Sequence, residues 1–461
     1  MLSLLIPISS GLSSEAIRVL ALCNLMLVLW LTEALPLAVT ALLPIIILPM
    51  SGVMTVQEAA NPYASSIIYL FMGGFMLACA IEKWGLHRRV ALLILKRIGL
   101  SYSGIVAALM ISTALISMWI SNTATAVIML PIAVSLIQVV SGTELPQGKT
   151  RNNLAISCLL AVAYAANMGG VGTLIGTPPN MILAGLYKNM YGADIDFLKW
   201  MLVGVPVLIL TLVPAFFLLT RVFFPFRLEV PDTAQAYVDS ELAQLGKLSR
   251  GERHTLWVFG LAVLLWIFGS WINRWAGYSL LSDPAVALIA SILLFVVPGH
   301  APNKPLLTWS DTQQIPWGIL LFFGGALSLA NGLETSGFIE FVGHSVQGFT
   351  GISPFWLVGL CVIGMLFITE FMGSTPLATV FVPLLFGLAD GFGMEKLSLA
   401  VPVIIATSGA FMFPMATPPN AIVFASGYVR VQDMARVGLV MNLVCSLVVW
   451  LVAYGLVTWL F

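Results

Sequence analysis

The stretch Gly176-Thr-Pro-Pro-Asn180 recurs as Ala416-Thr-Pro-Pro-Asn420, and this pair organises the whole chain. Each copy lies in a long stretch without Asp, Glu, Lys or Arg, at residues 152–187 and 397–429. A membrane-spanning helix needs about 20 mostly apolar residues, so each stretch can hold a helix that is broken in the middle. Proline lacks an amide hydrogen and clashes with the preceding helical turn. The Pro-Pro pairs therefore predict helices that are interrupted at membrane depth.

The composition indicates a membrane protein. Of the 461 residues, 59% are hydrophobic and only 9% are charged, and the mean hydropathy is +1.01. Soluble domains carry roughly 25% charged residues, so a water-soluble protein of this composition would lack the polar surface to cover its core. The net charge is zero, so the composition does not indicate a nucleic-acid-binding protein. The five cysteines do not have the spacing of metal ligands.

Two further matches show that the chain contains an internal repeat. Phe71-Met-Gly-Gly74 corresponds to Phe322-Phe-Gly-Gly325 at an offset of 251 residues. Ser121-Asn-Thr-Ala-Thr-Ala126 corresponds to Gly373-Ser-Thr-Pro-Leu-Ala378 at an offset of 252, and the two Thr-Pro-Pro-Asn copies are 240 apart. The offset falls because the first half carries an extra polar segment near residues 141–151. Three matches in the same order indicate two copies of one architecture.

A long polar stretch separates the two copies. We predict a first repeat over residues 1–226, a cytoplasmic linker over 227–253 and a second repeat over 254–461. Short amphipathic stretches at 87–97 and 338–349 precede the predicted hairpin of each repeat. We interpret them as helices that lie along the membrane surface, with a simple connecting loop as the alternative.

The positive charges predict that the repeats have opposite orientations. We assign five loops to the cytoplasmic side: 83–97, 141–153, 221–253, 299–314 and 430–436. That side then holds 15 of the 20 Lys and Arg residues, in keeping with their enrichment in cytoplasmic loops. The first hairpin (102–140) enters from the cytoplasm and the second (355–389) from outside, and both chain termini are expected outside. Secondary transporters often build such inverted repeats around a midplane site.

The polar interruptions of the apolar stretches are the candidate binding site. Polar groups persist at membrane depth only when they are buried in protein or line a water-filled cavity. Carbonyls freed before a helix break can hold a cation, and amide hydrogens freed after it favour an anion. Nine side chains at the interruptions are candidates to bind a carboxylate or a cation: Ser121, Asn122, Thr123, Thr177, Asn180, Ser374, Thr375, Thr417 and Asn420. For any one Ser or Thr, helix packing is the simpler interpretation, but the repetition favours a site.

No Lys or Arg lies in any of the four motifs. A doubly charged anion would therefore be neutralised by helix ends, hydroxyls and co-bound cations, which motivates a hypothesis of sodium coupling. Glu370 lies four residues before Ser374 inside an apolar segment, where a charge is costly. We favour a structural role for Glu370, with a proton carrier or an ion-pair partner as alternatives.

The motifs resemble those of the divalent anion/sodium symporter family, which includes sodium/dicarboxylate, citrate and sulfate transporters. The resemblance rests on Ser121-Asn-Thr123 and on both Thr-Pro-Pro-Asn motifs, and it covers nearly the whole chain. It implies a homodimer that works by an elevator motion. The implied scaffold parts are residues 1–86 and 254–335, and the implied transport parts are residues 98–226 and 350–461.

The resemblance also implies the roles of individual residues. The implied substrate contacts are Asn122, Thr123, Thr177, Pro178, Ser374, Thr375, Thr417 and Pro418. The implied sodium ligands are Ser117, Ser121, Asn122, Gly176, Thr369, Gly373, Ser374 and Ala416. One departure stands out, because the family pattern has a second Ser-Asn-Thr where this chain has Gly373-Ser374-Thr375. An amide is thereby lost from the second cation site and from one side of the substrate site, which leaves exchange open as an alternative to symport.

The sequence thus predicts an all-α polytopic membrane protein with two inverted-topology repeats, re-entrant hairpins and broken helices, an elevator-type transporter. We expect it to carry small di- or tricarboxylates across a bacterial-type inner membrane, with sodium as coupling ion, no other cofactor and no enzymatic activity. Its expected partners are the dianionic substrate, the lipid bilayer and a second copy of the chain. Dicarboxylate exchange and sulfate or oxyanion transport are alternatives. A channel or an intramembrane enzyme is less favoured, because the apolar segments lack a paired-Asp, Ser/His or zinc motif.

Overall fold

The structure is a computed structural model that describes residues 12–141, 153–225, 232–278, 280–299, 304–346 and 351–461. The rest of the predicted extra segment near 141–151, the start of the predicted linker at 227–253 and the end of the predicted amphipathic stretch 338–349 lie outside these ranges. Within them the chain forms helices and turns with one isolated β-bridge and no β-strand. The predicted all-α class is confirmed.

The helices, numbered in chain order, have the following bounds: α1 Ser14–Thr32, α2 Leu37–Thr40, α3 Leu43–Met50, α4 Val56–Ala60, α5 Ser66–Lys83, α6 Leu86–Ile98, α7 Tyr102–Ser117, α8 Asn122–Ser141, α9 Asn153–Gly169, α10 Pro178–Tyr191, α11 Phe197–Phe217, α12 Asp232–Leu245, α13 Arg250–Ala276, α14 Asp283–Val296, α15 Trp317–Thr335, α16 Phe338–Val346, α17 Pro354–Thr369, α18 Ser374–Gly391, α19 Lys396–Ala406, α20 Pro418–Ala425, α21 Val431–Val448 and α22 Tyr454–Leu460. Across the described ranges, nine helical segments are long and apolar enough to cross a membrane.

The element order repeats, as the sequence motifs predict. The run α5 to α11 is matched by the run α15 to α21. In each run a helix with the Phe-x-Gly-Gly motif is followed by an amphipathic helix, a helical hairpin and a broken helix. The hairpins are α7–α8 and α17–α18, and the broken helices are α9–α10 and α19–α20.

The central helix of the fold is α9. Every residue from Leu154 to Gly169 is buried, and small side chains such as Ala161 and Ala165 let neighbouring helices approach closely. A helix that is apolar on all sides belongs in the interior of a bundle. Helix α9 packs against α7, α8 and α11 of its own half and against α20 of the other half. The break that follows α9 is therefore held inside the protein.

The Phe-x-Gly-Gly motifs allow close helix packing. A Cβ added at Gly73 would lie 2.6 Å from the Cβ of Ala287, so α5 and α14 touch through this glycine. A Cβ added at Gly325 would collide with the carbonyl of Ala41. Neither position leaves space for a larger residue.

The linker helix α12 is fixed to the amphipathic helix α6. Arg89 of α6 forms a buried ion pair with Glu252 at 2.6 Å and donates to two carbonyls at the end of the linker. Lys96 pairs with Asp239 of α12 at 2.8 Å, and its hydrogen bond lowers the pKa of the Asp239 carboxyl. The described part of the linker is therefore anchored to α6.

Candidate functional site

Both Thr-Pro-Pro-Asn motifs begin a helix after a stretch of backbone that leaves the α-helical path. Residues 170–177 separate α9 from α10, and residues 407–417 separate α19 from α20. We call these two stretches the first and the second break. Thr177 (φ −144°, ψ 144°) and Thr417 (φ −144°, ψ 151°) precede the new helices in nearly the same extended conformation. Proline suits the position that follows, because its missing N–H would have no helical partner there.

The asparagines of the two motifs hold the breaks in shape. Asn180 Nδ2 donates to the carbonyls of Gly170 at 3.0 Å and Thr173 at 2.9 Å. Asn420 Nδ2 does the same at the equivalent positions of the second half, at 3.1 Å in each case. Both asparagines are fully buried. The amide donors of both residues are thus used within the breaks and not for a substrate. Asn180 Oδ1 is buried without a hydrogen-bond partner, and the alternative that these amides accept around a cation stays a prediction.

The hairpin tips lie where one helix ends and the next begins. Helix α7 ends at Ser117 and α8 begins at Asn122, while α17 ends at Thr369 and α18 begins at Ser374. Residues 118–121 and 370–373 thus form the first and the second tip. Carbonyls at helix ends and amides at helix starts lack partners within their own helix. Predicted ligand residues of both halves occupy these positions.

The first tip meets the first break in a cluster of oxygen atoms. Ser117 Oγ lies 2.9 Å from Asn122 Oδ1 and 2.7 Å from the carbonyl oxygen of Ala166. A Cβ added at Gly170 would lie 2.5 Å from Asn122 Oδ1 and 3.0 Å from the carbonyl oxygen of Gly176. Glycine is therefore required at position 170, and side-chain and backbone oxygens surround it closely.

This oxygen cluster fits a small monovalent cation. It offers hydroxyl, amide and carbonyl oxygens, and unwound carbonyls with helix C-termini are the groups that hold Na⁺ in transporters with broken helices. The C-terminal ends of α7 and α9 add their negative partial charge. Three predicted sodium ligands, Ser117, Asn122 and Gly176, are brought together here. A fourth, Ser121, accepts the amide of Ala124 at 3.3 Å and caps the start of α8.

The last turns of α9, which lead into the first break, contact the second break. Asn167 Nδ2 donates to the carbonyl of Ala410 at 3.3 Å and to Asn420 Oδ1 at 3.1 Å. The hydroxyl of Tyr164 reaches the carbonyl of Phe411 at 3.4 Å, and the two rings meet edge to face at 4.9 Å. All five residues are buried. The end of α9, directly before the first break, therefore contacts the second break and the start of α20.

Glu370 joins the second tip to the second break. Its carboxylate accepts the backbone amides of Phe411 (2.8 Å), Met412 (3.0 and 3.1 Å) and Phe413 (3.2 Å). Asn442 of α21 donates to the same carboxylate at 2.7 Å. Glu370 is fully buried, and this set of donors fits the structural role that we favoured from the sequence. All four polar interruptions thus belong to one connected network.

Comparison with known families agrees with this arrangement. The family described as the sodium:sulfate symporter transmembrane region matches residues 1–461. This chain belongs to the sodium:sulfate symporter family. The sodium-dependent dicarboxylate transporter SdcS of Staphylococcus saprophyticus is 38% identical to it over 99% of this chain and 89% of the relative. The SdcS protein of Staphylococcus aureus strain bovine RF122 is 39% identical over 95% of this chain and 86% of the relative.

Solved structures support the symporter fold. The YdaH transporter of Alcanivorax borkumensis has a TM-score of 0.60 at 14% identity, over 85% of both chains. MtrF of Neisseria gonorrhoeae has a TM-score of 0.53 at 13% identity, over 87% of this chain and 84% of that protein. These likenesses concern the fold alone. Together with the family match, they make this symporter-family chain a multi-pass integral membrane protein.

The eight predicted substrate contacts of this symporter-family chain lie at the N-terminal ends of four helices. They are Asn122 and Thr123 at α8, Thr177 and Pro178 at α10, Ser374 and Thr375 at α18, and Thr417 and Pro418 at α20. Helix α10 packs against α18 and α20 packs against α8, so each half-helix contacts the hairpin of the other half. Helix N-termini attract anions. Thr177 and Thr417 are buried, whereas the other six residues retain some exposed surface.

The second tip of this symporter-family chain has a different chemistry from the first. The predicted sodium ligand Thr369 directs its hydroxyl to the carbonyl of Met365 in its own helix, at 2.8 Å. Gly373 has no side chain, and Ser374 presents a hydroxyl where the first tip has an amide. Ala416, the fourth predicted ligand of this half, is buried in the second break. Thr369, Gly373 and Ser374 lie near one another along the chain, but together with Ala416 they do not reproduce the oxygen cluster of the first tip.

Two residues of the network are not among those predicted from the sequence. Asn167 connects the breaks and Asn442 holds Glu370, yet neither lies in a repeated motif. The residue 240 positions after Asn167 is Thr407, and the residue 240 positions before Asn442 is Leu202. An amide inside an otherwise apolar helix is a signal that could have found both, because such a group needs a partner.

Proposed function

We propose that this chain is a secondary transporter that couples the movement of small dicarboxylates to sodium. One observation carries the proposal, namely that four polar interruptions form a single buried network whose motifs contain no Lys or Arg. A dianion at this place meets helix N-termini and hydroxyls rather than fixed cationic side chains. The relatives with 38% and 39% identity are named sodium-dependent dicarboxylate transporters, which supports the same reading.

Sodium at the first tip supplies the missing positive charge. The site uses Ser117, Asn122 and the backbone around Gly170, and Asn122 is also the first residue of helix α8. A cation held there strengthens the attraction for a carboxylate at the same helix start, because opposite charges interact strongly away from bulk water. The two ligands then raise each other's affinity by the same factor. This reciprocity is the thermodynamic basis of the proposed coupling.

The same proposal includes the movement of the protein. Residues 1–86 and 254–335 form a scaffold that holds a homodimer, and residues 98–226 and 350–461 form a transport part that moves as an elevator. Helices α6 and α16 are the arms that join the two parts, since each directly precedes a hairpin. The buried ion pair of Arg89 with Glu252 ties the first arm to the start of α13. We place both termini outside a bacterial inner membrane.

Uptake by the purified protein in liposomes tests the proposal. We expect an inward sodium gradient to drive accumulation of labelled succinate, and an equal choline gradient to leave only background. Unlabelled malate should compete, and citrate and sulfate define the limits of the substrate class. Stronger competition by sulfate than by dicarboxylates would contradict the proposed substrate. Succinate exchange that proceeds equally in choline would contradict sodium coupling.

A further inference from the structure

The internal repeat gives every group of the first-tip oxygen cluster an equivalent in the second half. The offsets of 252 and 240 relate Asn122 to Ser374 and Gly170 to Ala410. Ser117 corresponds to Thr369 and Gly176 to Ala416 by the same offsets. The two halves can therefore be compared position by position.

At two positions the second break has an alanine where the first break has a glycine. In the first half, a Cβ at Gly170 would approach Asn122 Oδ1 to 2.5 Å, and a Cβ at Gly176 would approach the carbonyl oxygen of Gly170 to 2.5 Å. Ala410 and Ala416 carry this Cβ in the second half. The backbone contact between Gly176 and Gly170 leaves no room for a Cβ, so the second break, with Ala416 and Ala410 at these positions, cannot bring its backbone together as closely.

The oxygens of the second half already have donors. The carbonyl of Ala410 accepts Asn420 Nδ2 at 3.1 Å and Asn167 Nδ2 at 3.3 Å, which uses both of its lone pairs. The Glu370 carboxylate accepts three backbone amides and the Asn442 amide. Because a carboxylate has about four acceptor positions, these donors leave none for a metal ion. The charge of Glu370 is thus compensated within the protein.

From this difference we infer that only the first tip holds a sodium ion and that the second tip contributes hydroxyl groups without a cation. The inference rests on the proposed sodium-coupled transport. Ser374 and Thr375 then serve the substrate alone, as helix-start hydroxyls of α18. Cation binding in this chain is asymmetric although its fold is repeated.

A matched pair of variants tests the asymmetry in the purified full-length protein. The readout is the rise of the thermal unfolding midpoint when choline chloride is replaced by sodium chloride at equal ionic strength. Ser117→Ala should raise the sodium concentration needed for half of this rise by about tenfold or more, because a ligand to a charged group is lost. Thr369→Ala, the equivalent change in the second half, should leave that concentration within about twofold of the wild type.

A second pair changes the first residue of each hairpin's second helix, and it keeps the test valid if Ser117→Ala fails to fold. Asn122→Ser gives the first tip the residue of the second and should weaken the sodium response, whereas Ser374→Ala should not. Equal weakening by the variants of both halves would overturn the inference, and so would a wild type whose midpoint does not respond to sodium. A sodium response confined to the first tip in a protein that fails to take up dicarboxylates would uphold the inference and contradict the proposed function.

Discussion

At the scale of single residues, Asn180 and Asn420 explain why Thr-Pro-Pro-Asn occurs twice. Each break leaves two buried carbonyls without helical donors, and one side-chain amide satisfies both. Burying a carbonyl without a hydrogen bond is costly, more so away from water. The repeated motif therefore indicates a repeated backbone geometry. This geometry positions the predicted ligand residues beside the motif.

Replacement of either asparagine should destabilise the protein. Asn180→Ala removes the amide donor of the buried Gly170 carbonyl and leaves Thr173 with only the backbone amide of Gly176 at 3.4 Å, at a cost of about 1–3 kcal/mol. Asn420→Ala should cost a similar amount. The carbonyls of Ala410 and Phe413 keep Asn167 and the amide of Ala416 as donors, but Asn167 loses one of its two acceptors. Thermal unfolding of the purified variants measures both effects. If Asn180→Ala unfolds like the wild type but binds succinate more weakly, its amide contacts the ligand instead.

At the scale of elements, Glu370 fixes three parts of the second half to one another. It stands at the end of α17, accepts the amides of the second break at 411–413 and is held by Asn442 of α21. The carboxylate acts as an internal anion that organises the broken helix. These amides are consequently already used within the protein and are not free donors for a ligand.

The variant Glu370→Gln separates this structural role from proton carrying. A glutamine turns an NH₂ group towards backbone amides, so the second break should lose about 3 kcal/mol or more of stability. The unfolding midpoint and the pH dependence of succinate uptake are both measured. A proton carrier would behave differently, because the variant would keep its midpoint and lose the pH dependence of uptake.

At the scale of the whole molecule, the sequence predicts what depends on local patterns. Apolar stretches without charges indicate an all-helical membrane protein, and the Pro-Pro pairs locate the breaks before α10 and α20. The contacts between the halves are not predictable in this way. Asn167 and Ala410 are separated by 243 residues and meet only because α9 is buried against α20. Likewise, Asn180 and Asn420 look like ligand groups until the carbonyls beside them are known.

The most direct test of the central claim is calorimetric titration of succinate into the purified protein, in sodium chloride and then in choline chloride. The claim is that neutral protein groups and a sodium ion at the first tip together attract the dianion. We therefore expect saturable binding heat in sodium, and an affinity at least tenfold lower in choline, which corresponds to about 1.4 kcal/mol. Equal affinity in the two salts would contradict the claim, because the protein alone would then neutralise the substrate.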